Sequence, residues 1–204
     1  MTEQAGRLLH SSNAYYHEWA PKLAELLVTL TQKEGGLGYA ANSAPEATAK
    51  VFFANSGTEA NEGALKIARK VGKDRWTAET GIAWESDPSN CPKTRIACFE
   101  GSFHGRSLGS ISVTTNPKYQ KPFVPLIPGV DVGKVNDLDG ISKIVTKDTC
   151  AVIVEPIQGE GGVNTADMNW LRSLRKRCDE VGAVLIYDEI QVMFAYQSEY
   201  YLPY

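Results

Sequence analysis

The sequence predicts an α/β fold, a largely parallel sheet with helices on both faces. Short apolar runs alternate along the chain with segments of helical periodicity. Two of the runs, AVIVEP (151–156) and GAVLIYDE (182–189), are apolar almost throughout, the pattern of strands buried on both faces. The segment between them, 168–181, reads as an amphipathic helix, and buried strands separated by helices imply a parallel sheet covered on both sides.

In chain order, residues 13–34 carry Trp19, Leu23, Leu26, Leu27 and Leu30 at helical spacing, and GGLG ends that pattern. VFFA (51–54) reads as a strand, followed by a helix over 58–71. Crowded Gly, Pro, Asp, Ser and Asn predict a solvent loop or insertion over 73–94. TRIACFE (94–100) is the next strand, SLGSISVT (107–114) fits either a short helix or a strand, and the Pro-rich PFVPLIPGV is extended. In such sheets ligands collect at the carboxyl ends of strands, so the polar residues just after each strand are the candidates for function.

Composition narrows the class of function. With 204 residues, 43% hydrophobic and 22% charged, the chain has material for one sizeable domain or pieces of two. A net charge of −3, a pI near 5.7 and no basic run make nucleic acid and anionic membranes poor partners. No apolar stretch approaches the roughly 20 residues of a membrane span. The start MTEQAG lacks a signal or transit pattern, so the chain as written is expected to stay in the cytoplasm. Cys91, Cys98, Cys150 and Cys178 form no CxxC pair and read as free buried thiols; no metal site is expected.

The stretch VFFANSGTEANEG runs an apolar segment into Ser-Gly-Thr and then a helix. Ser56 and Glu59 have capping-box spacing, Gly57 permits a tight turn, and the helix head offers N–H donors to an anion, most often phosphate. A helix cap without a ligand is the plainer reading. Other strand ends carry polar groups too: Phe103, His104 and Arg106 in FEGSFHGRS, Glu155, Gln158 and Glu160 in VEPIQGEGG, and Asp188 and Gln191 in IYDEIQ. A carboxylate at Asp188, closing an apolar strand, is costly to bury without a cationic partner, and a protonated pyridine nitrogen would be one.

In HSSNAYY (10–16), FFANSGTEANE (52–62), FEGSFHGRSLG (99–109), EPIQGEGG (155–162) and YDEIQ (187–191), the chain resembles the class III, or ornithine-type, pyridoxal-phosphate-dependent aminotransferases. It is most similar to the branch that exchanges an amino group between N-acetylornithine and 2-oxoglutarate in arginine biosynthesis; the ornithine, GABA and diaminopelargonate branches stay open. Neither GGLGYA nor GEGGVN fits a dinucleotide-binding G-x-G-x-x-G. The resemblance implies fold type I, with an N-terminal helical segment of the small domain or interface over 1–45, a partial cofactor-binding large domain over 46–191 and an unrelated tail over 192–204.

The resemblance also implies roles. Ser56, Gly57 and Thr58 would cradle the phosphate of pyridoxal 5'-phosphate, Phe103 would stack on the ring, and Ile190 would press on its other face. Asp188 would pair with the pyridine nitrogen and Gln191 with the ring hydroxyl. Arg106 would clamp the substrate carboxylate, Glu160 would act as a gate, and Glu155 would support the site. The implied partners are an amino-acid substrate, a 2-oxo acid and a second subunit in a homodimer, with the mitochondrial matrix as the compartment of a full-length eukaryotic parent. The family's Schiff-base lysine lies beyond the D-E-[VI]-Q motif. Here no lysine follows Lys176, and VMFAYQSEYYLPY departs from the family pattern. The expectation is a chain truncated at both ends, without a catalytic residue and inactive alone.

Overall fold

The computed structural model describes residues 1–12, 14–33, 49–87 and 89–191. Asn13, the GGLG stop, the expected boundary at 45/46 and the tail over 192–204 lie outside the described residues. The chain forms two compact units, one ending at Phe52 and the other beginning at Phe53.

The first unit holds a single helical turn, α1 (Thr2–Ala5), and the helix α2 (Trp19–Lys33). The helix expected over 13–34 therefore starts later, where His17 Nδ1 accepts the Trp19 N–H at 3.3 Å, a donor with no acceptor inside the helix. Trp19, Leu23, Leu26 and Leu30 are each about half exposed along α2.

The second unit opens with α3 (Gly57–Thr80). Ser56 Oγ accepts the Glu59 N–H at 3.3 Å, and Glu59 Oε2 accepts the Asn55 N–H at 2.8 Å, so the capping box closes one residue further out than its simplest form. The helix runs well past residue 71, because no Gly or Pro interrupts 73–80 and Lys70 pairs with Asp74. It stops at Gly81, whose φ of 74° supplies the left-handed cap. Apart from Asp74, the breaker residues lie at or after Gly81, and the expected loop is confined to that part. The 51–54 run forms no ladder among the described residues, and Phe52 is 65% exposed. A strand-like composition records fit to a pleated surface and cannot by itself supply a neighbour.

Four parallel strands form the sheet: β1 (Arg95–Phe99), β2 (Val130–Gly133), β3 (Thr149–Val154) and β6 (Val184–Tyr187), in the order β2-β1-β3-β6. Ile96 stands beside Val130, and Ala151 beside Val184. The sequence reading missed β2, which begins at Val130, the last residue of the Pro-rich segment. That segment is not extended throughout as expected, because its Pro122 and Phe123 form a 3₁₀ turn with Lys121. Between β1 and β2 lie α4 (Leu108–Val113), which settles the ambiguous 107–114 run as helix, and α5 (Pro117–Gln120). Next come α6 (Ile141–Ile144) ahead of β3, the two-residue strands β4 (Ile157–Gln158) and β5 (Asn164–Thr165), which pair antiparallel, and α7 (Met168–Val181).

Alternation along the strands gives the sheet two apolar faces. Ile96, Cys98, Ala151 and Ile153 pack with Leu65 and Ala68 of α3 and Val113 of α4. On the other face the Phe99 ring meets Trp170 of α7 edge-on at 4.9 Å. α7 has the limits its pattern predicts, with Asp167 Oδ1 accepting the Asn169 and Trp170 N–H groups and Gly182 left-handed at φ 71°. β3 is buried throughout, whereas β6, read as buried, is half-buried; among the described residues its one strand neighbour is β3. All four cysteines are buried and free. Lys93 is also buried, donating to Val181 O and, at 3.5 Å, to Thr149 O, and burial pushes its pKa down. No described helix is long and apolar enough to cross a membrane.

Candidate active site

A pocket of about 300 Å³ opens where the head of α3 meets the segments following β1, β3 and β6. Gly57 opens α3 and packs under Ile190: a Cβ there would come within 2.7 Å of Ile190 Cδ1. The first-turn N–H groups of a helix lack intrahelical acceptors; Ser56 takes those of Glu59 and Ala60, and Gly57 and Thr58 stand ahead of them at the pocket wall.

The hydroxyls beside this helix head are ordered from behind. Glu62 Oε1 accepts Ser107 Oγ–H, the Gly109 N–H at 2.7 Å and the Ser110 N–H at 3.1 Å. Burial works against the charged form of Glu62, but these hydrogen bonds outweigh it and hold its pKa below the ordinary value. Because an ionised carboxylate only accepts, the Ser107 proton points at Glu62, and the 2.8 Å contact between Thr58 Oγ1 and Ser107 Oγ is a donation from Thr58.

Asp188, directly after β6, is 6% exposed. Its Oδ2 lies 2.7 Å from His104 Nδ1 and accepts Asn61 Nδ2–H at 2.8 Å, while Oδ1 accepts the Ile190 N–H at 3.1 Å. Burial raises its pKa, but His104 and Asn61 together reverse that, and the carboxyl lies below the ordinary range. The partner that the sequence argument sought outside the protein is thus partly built in. Asn61 also donates to His104 O at 2.8 Å, tying α3 to the loop after β1, and His104 Nε2 is buried without a hydrogen-bond partner among the described residues.

Phe103 forms another wall, between Gly101 (φ 77°) and Gly105 (φ 125°), conformations that favour glycine. Its ring meets Tyr119 edge-on at 5.4 Å. Glu155 lines the pocket and accepts the Phe103 N–H at 2.7 Å. Arg106 lines it with an exposed side chain and forms no ion pair among the described residues. Ile190 and Gln191 complete the lining, Gln191 against Gly159.

Of the sequence candidates, Ser56, Gly57, Thr58, Phe103, Arg106, Asp188, Ile190 and Gln191 share this pocket. Glu160 does not line it; its Oε1 accepts the Tyr119 hydroxyl at 2.6 Å, and that bond pushes the tyrosine pKa up. Gln158 is buried beside it, donating to Glu100 O. Sequence reasoning missed Asn61, Glu62 and Ser107. Asn61 carried a readable signal: it falls in register with Leu65, Ala68 and Gly72 on the buried stripe of α3, where a polar side chain needs a partner.

No metal-holding cluster of His, Cys, Asp or Glu occurs among the described residues. A helix head, an aromatic wall and an ionised carboxylate in one crevice suit a flat, phosphorylated ligand with a basic ring nitrogen. Residues 1–197 match the aminotransferase class-III family, and the chain belongs to it.

Among curated proteins the chain is 50% identical, over 191 residues, to the mitochondrial acetylornithine aminotransferase of Yarrowia lipolytica. That match covers 94% of the chain but 41% of the relative, so the chain spans about two fifths of that protein's length. Among solved structures, the ornithine aminotransferase of Toxoplasma gondii superposes with a TM-score of 0.72 at 26% identity, over 94% of this chain and 39% of that one. The N-acetylornithine aminotransferase of Stenotrophomonas maltophilia superposes with a TM-score of 0.62 at 32% identity, over 93% and 39%.

Proposed function

We propose that this chain carries the cofactor-binding part of an acetylornithine aminotransferase, which takes pyridoxal 5'-phosphate and exchanges an amino group between N-acetylornithine and 2-oxoglutarate. The observation that carries the reading is Asp188, held ionised by His104 and Asn61 at the wall of the pocket that the head of α3 also lines. The cofactor, when bound, supplies an electron sink for cleavage at the substrate carbon. Asp188 would accept the ring nitrogen's proton in a hydrogen bond and keep that nitrogen protonated. Ser56, Gly57 and Thr58 would seat the phosphate, Phe103 and Ile190 would hold the two ring faces, and Gln191 would meet the ring hydroxyl.

Arg106, unpaired in ion pairs among the described residues, would clamp the substrate carboxylate in a bidentate contact. Glu160 would gate the site by exchanging Tyr119 for a substrate group or a cation. The apolar stripe of α2 supports a homodimer, and the mitochondrial name of the fungal relative supports that compartment. None of the described pocket-lining side chains is a lysine, so residues 1–204 alone are proposed to hold the cofactor without a covalent link and without turnover.

Absorbance titration of the full chain with pyridoxal phosphate, followed by borohydride treatment and dialysis, tests this. Saturable binding that dialysis reverses supports the reading; cofactor fixed to a lysine together with transamination would refute its last clause, and no binding would refute it altogether.

A further inference from the structure

We propose that Glu155 is a positioning residue: one carboxylate shared between two main-chain N–H groups holds the Phe103 wall of the pocket against the turn after β4. The proposal rests on the cofactor reading only for the ligand's identity. Glu155 follows β3 directly and is 6% exposed. Its Oε1 accepts the Phe103 N–H at 2.7 Å, and its Oε2 accepts the Gly159 N–H at 3.3 Å.

These donors come from two segments that have no hydrogen-bonded ladder between them, so the carboxylate joins what the sheet leaves separate. Within the 101–105 segment, Ser102 N–H is held by Phe99 O and Thr115 Oγ1, and His104 N–H by Thr114 Oγ1. Those acceptors do not titrate; of these three main-chain donors, Phe103 N–H is the one whose acceptor does.

Two strong acceptor oxygens at once favour the ionised form, since protonation makes one oxygen a donor and a weaker acceptor, and an amide replaces one with a donor nitrogen. Asp188 and His104 are the charged and titratable groups acting on Glu155 most directly, in opposite senses, and Arg106 lines the same pocket. Burial is the largest influence and pushes the Glu155 pKa up. Falling pH therefore puts a proton on the oxygen with the longer contact, releasing Gly159 and then loosening Phe103.

The first test needs no ligand. In the full chain, the amide resonances of Phe103 and Gly159 should titrate together, with one midpoint above the ordinary Glu value of 4.5. Separate midpoints, or amides that do not move, overturn the proposal. The second test compares variants above that midpoint. Glu155→Met should bind pyridoxal phosphate roughly tenfold more weakly, the worth of one hydrogen bond to a charged group. Glu155→Gln, able to accept at one oxygen, should fall between.

Affinity for inorganic phosphate should stay within about twofold in both variants, because its seat is the head of α3. Loss of both affinities together with a lower Tm would make Glu155 structural only and overturn the proposal. If the variants fail to fold, the amide titration decides. If the unmodified chain ignores pyridoxal phosphate, the cofactor reading falls while the amide titration still decides the clamp.

Discussion

Replacing Asn61 with alanine tests the link between fold and site directly. Asn61 is 4% exposed, and its amide makes two 2.8 Å hydrogen bonds, to His104 O and to Asp188 Oδ2. The variant loses one neutral hydrogen bond and one to a charged group, and leaves a buried carbonyl without its donor. Together these losses amount to about 2–4 kcal/mol. That is a large share of a typical domain's stability of roughly 5–15 kcal/mol.

Urea unfolding should show the change as a lower midpoint at unchanged slope. The pH dependence carries the sharper signature. Asp188 has a folded pKa below its ordinary 3.8, so its contribution is fully present above 3.8 and is lost as pH falls through the lower folded value. Without Asn61 the folded pKa returns toward 3.8, so the gap between parent and variant should be full above that pH and narrow below it. A gap under about 0.5 kcal/mol at neutral pH, the range of an ordinary surface change, would refute the reasoning, as would a gap that acid leaves constant.

Gly72→Ala sets helix propensity against space: alanine favours a helix interior by about 1 kcal/mol, but the new Cβ would lie 2.8 Å from Cys150 Cβ. Overpacking of this kind costs about 1–3 kcal/mol, so calorimetry should show a lower Tm. Lys93 has a folded pKa pushed below 10.5 by burial, so stability should rise with pH from that lower value up to 10.5, and Lys93→Met should abolish the rise in urea titrations taken across the alkaline range. Burial pushes the Cys98 and Cys178 thiols up to about 12, so both should resist a disulfide reagent in the native state and react once urea is added.

What the sequence revealed depended on how local each signal was. α7 was legible to its ends because an Asp cap, an apolar stripe and a closing Gly182 all lie within it. The extent of α3 was not, since averaging over 73–94 merged a helical stretch with the true loop beyond Gly81. β2 is four residues long and owes its state to β1 beside it, a fact no local pattern carries.

The site divides along the same line. The strand-end rule drew Phe103, Asp188 and Gln191 toward one place, and the pocket contains them. The hydrogen bonds that tune Asp188 come from Asn61, 127 residues away, and from His104, 84 residues away. Glu160 sits in a strand-end motif yet turns to Tyr119, a choice set by a residue 41 positions earlier.

The Glu62 carboxylate has a consequence for how the pocket comes into being. α4 is six residues long, too short to persist as an isolated helix, and its first-turn N–H groups find their acceptor on α3 rather than in their own cap. Helix formation at 108–113 therefore waits for α3 to dock, and the docking that supplies the acceptor also brings Ser107 against Thr58. The Thr58–Ser107 wall of the pocket and α4 thus share one set of hydrogen bonds and should open together. A local fluctuation that frees Gly109 from Glu62 also loosens Ser107 and Thr58, so if the proposed phosphate seat is occupied, ligand occupancy and the lifetime of that short helix would be thermodynamically linked.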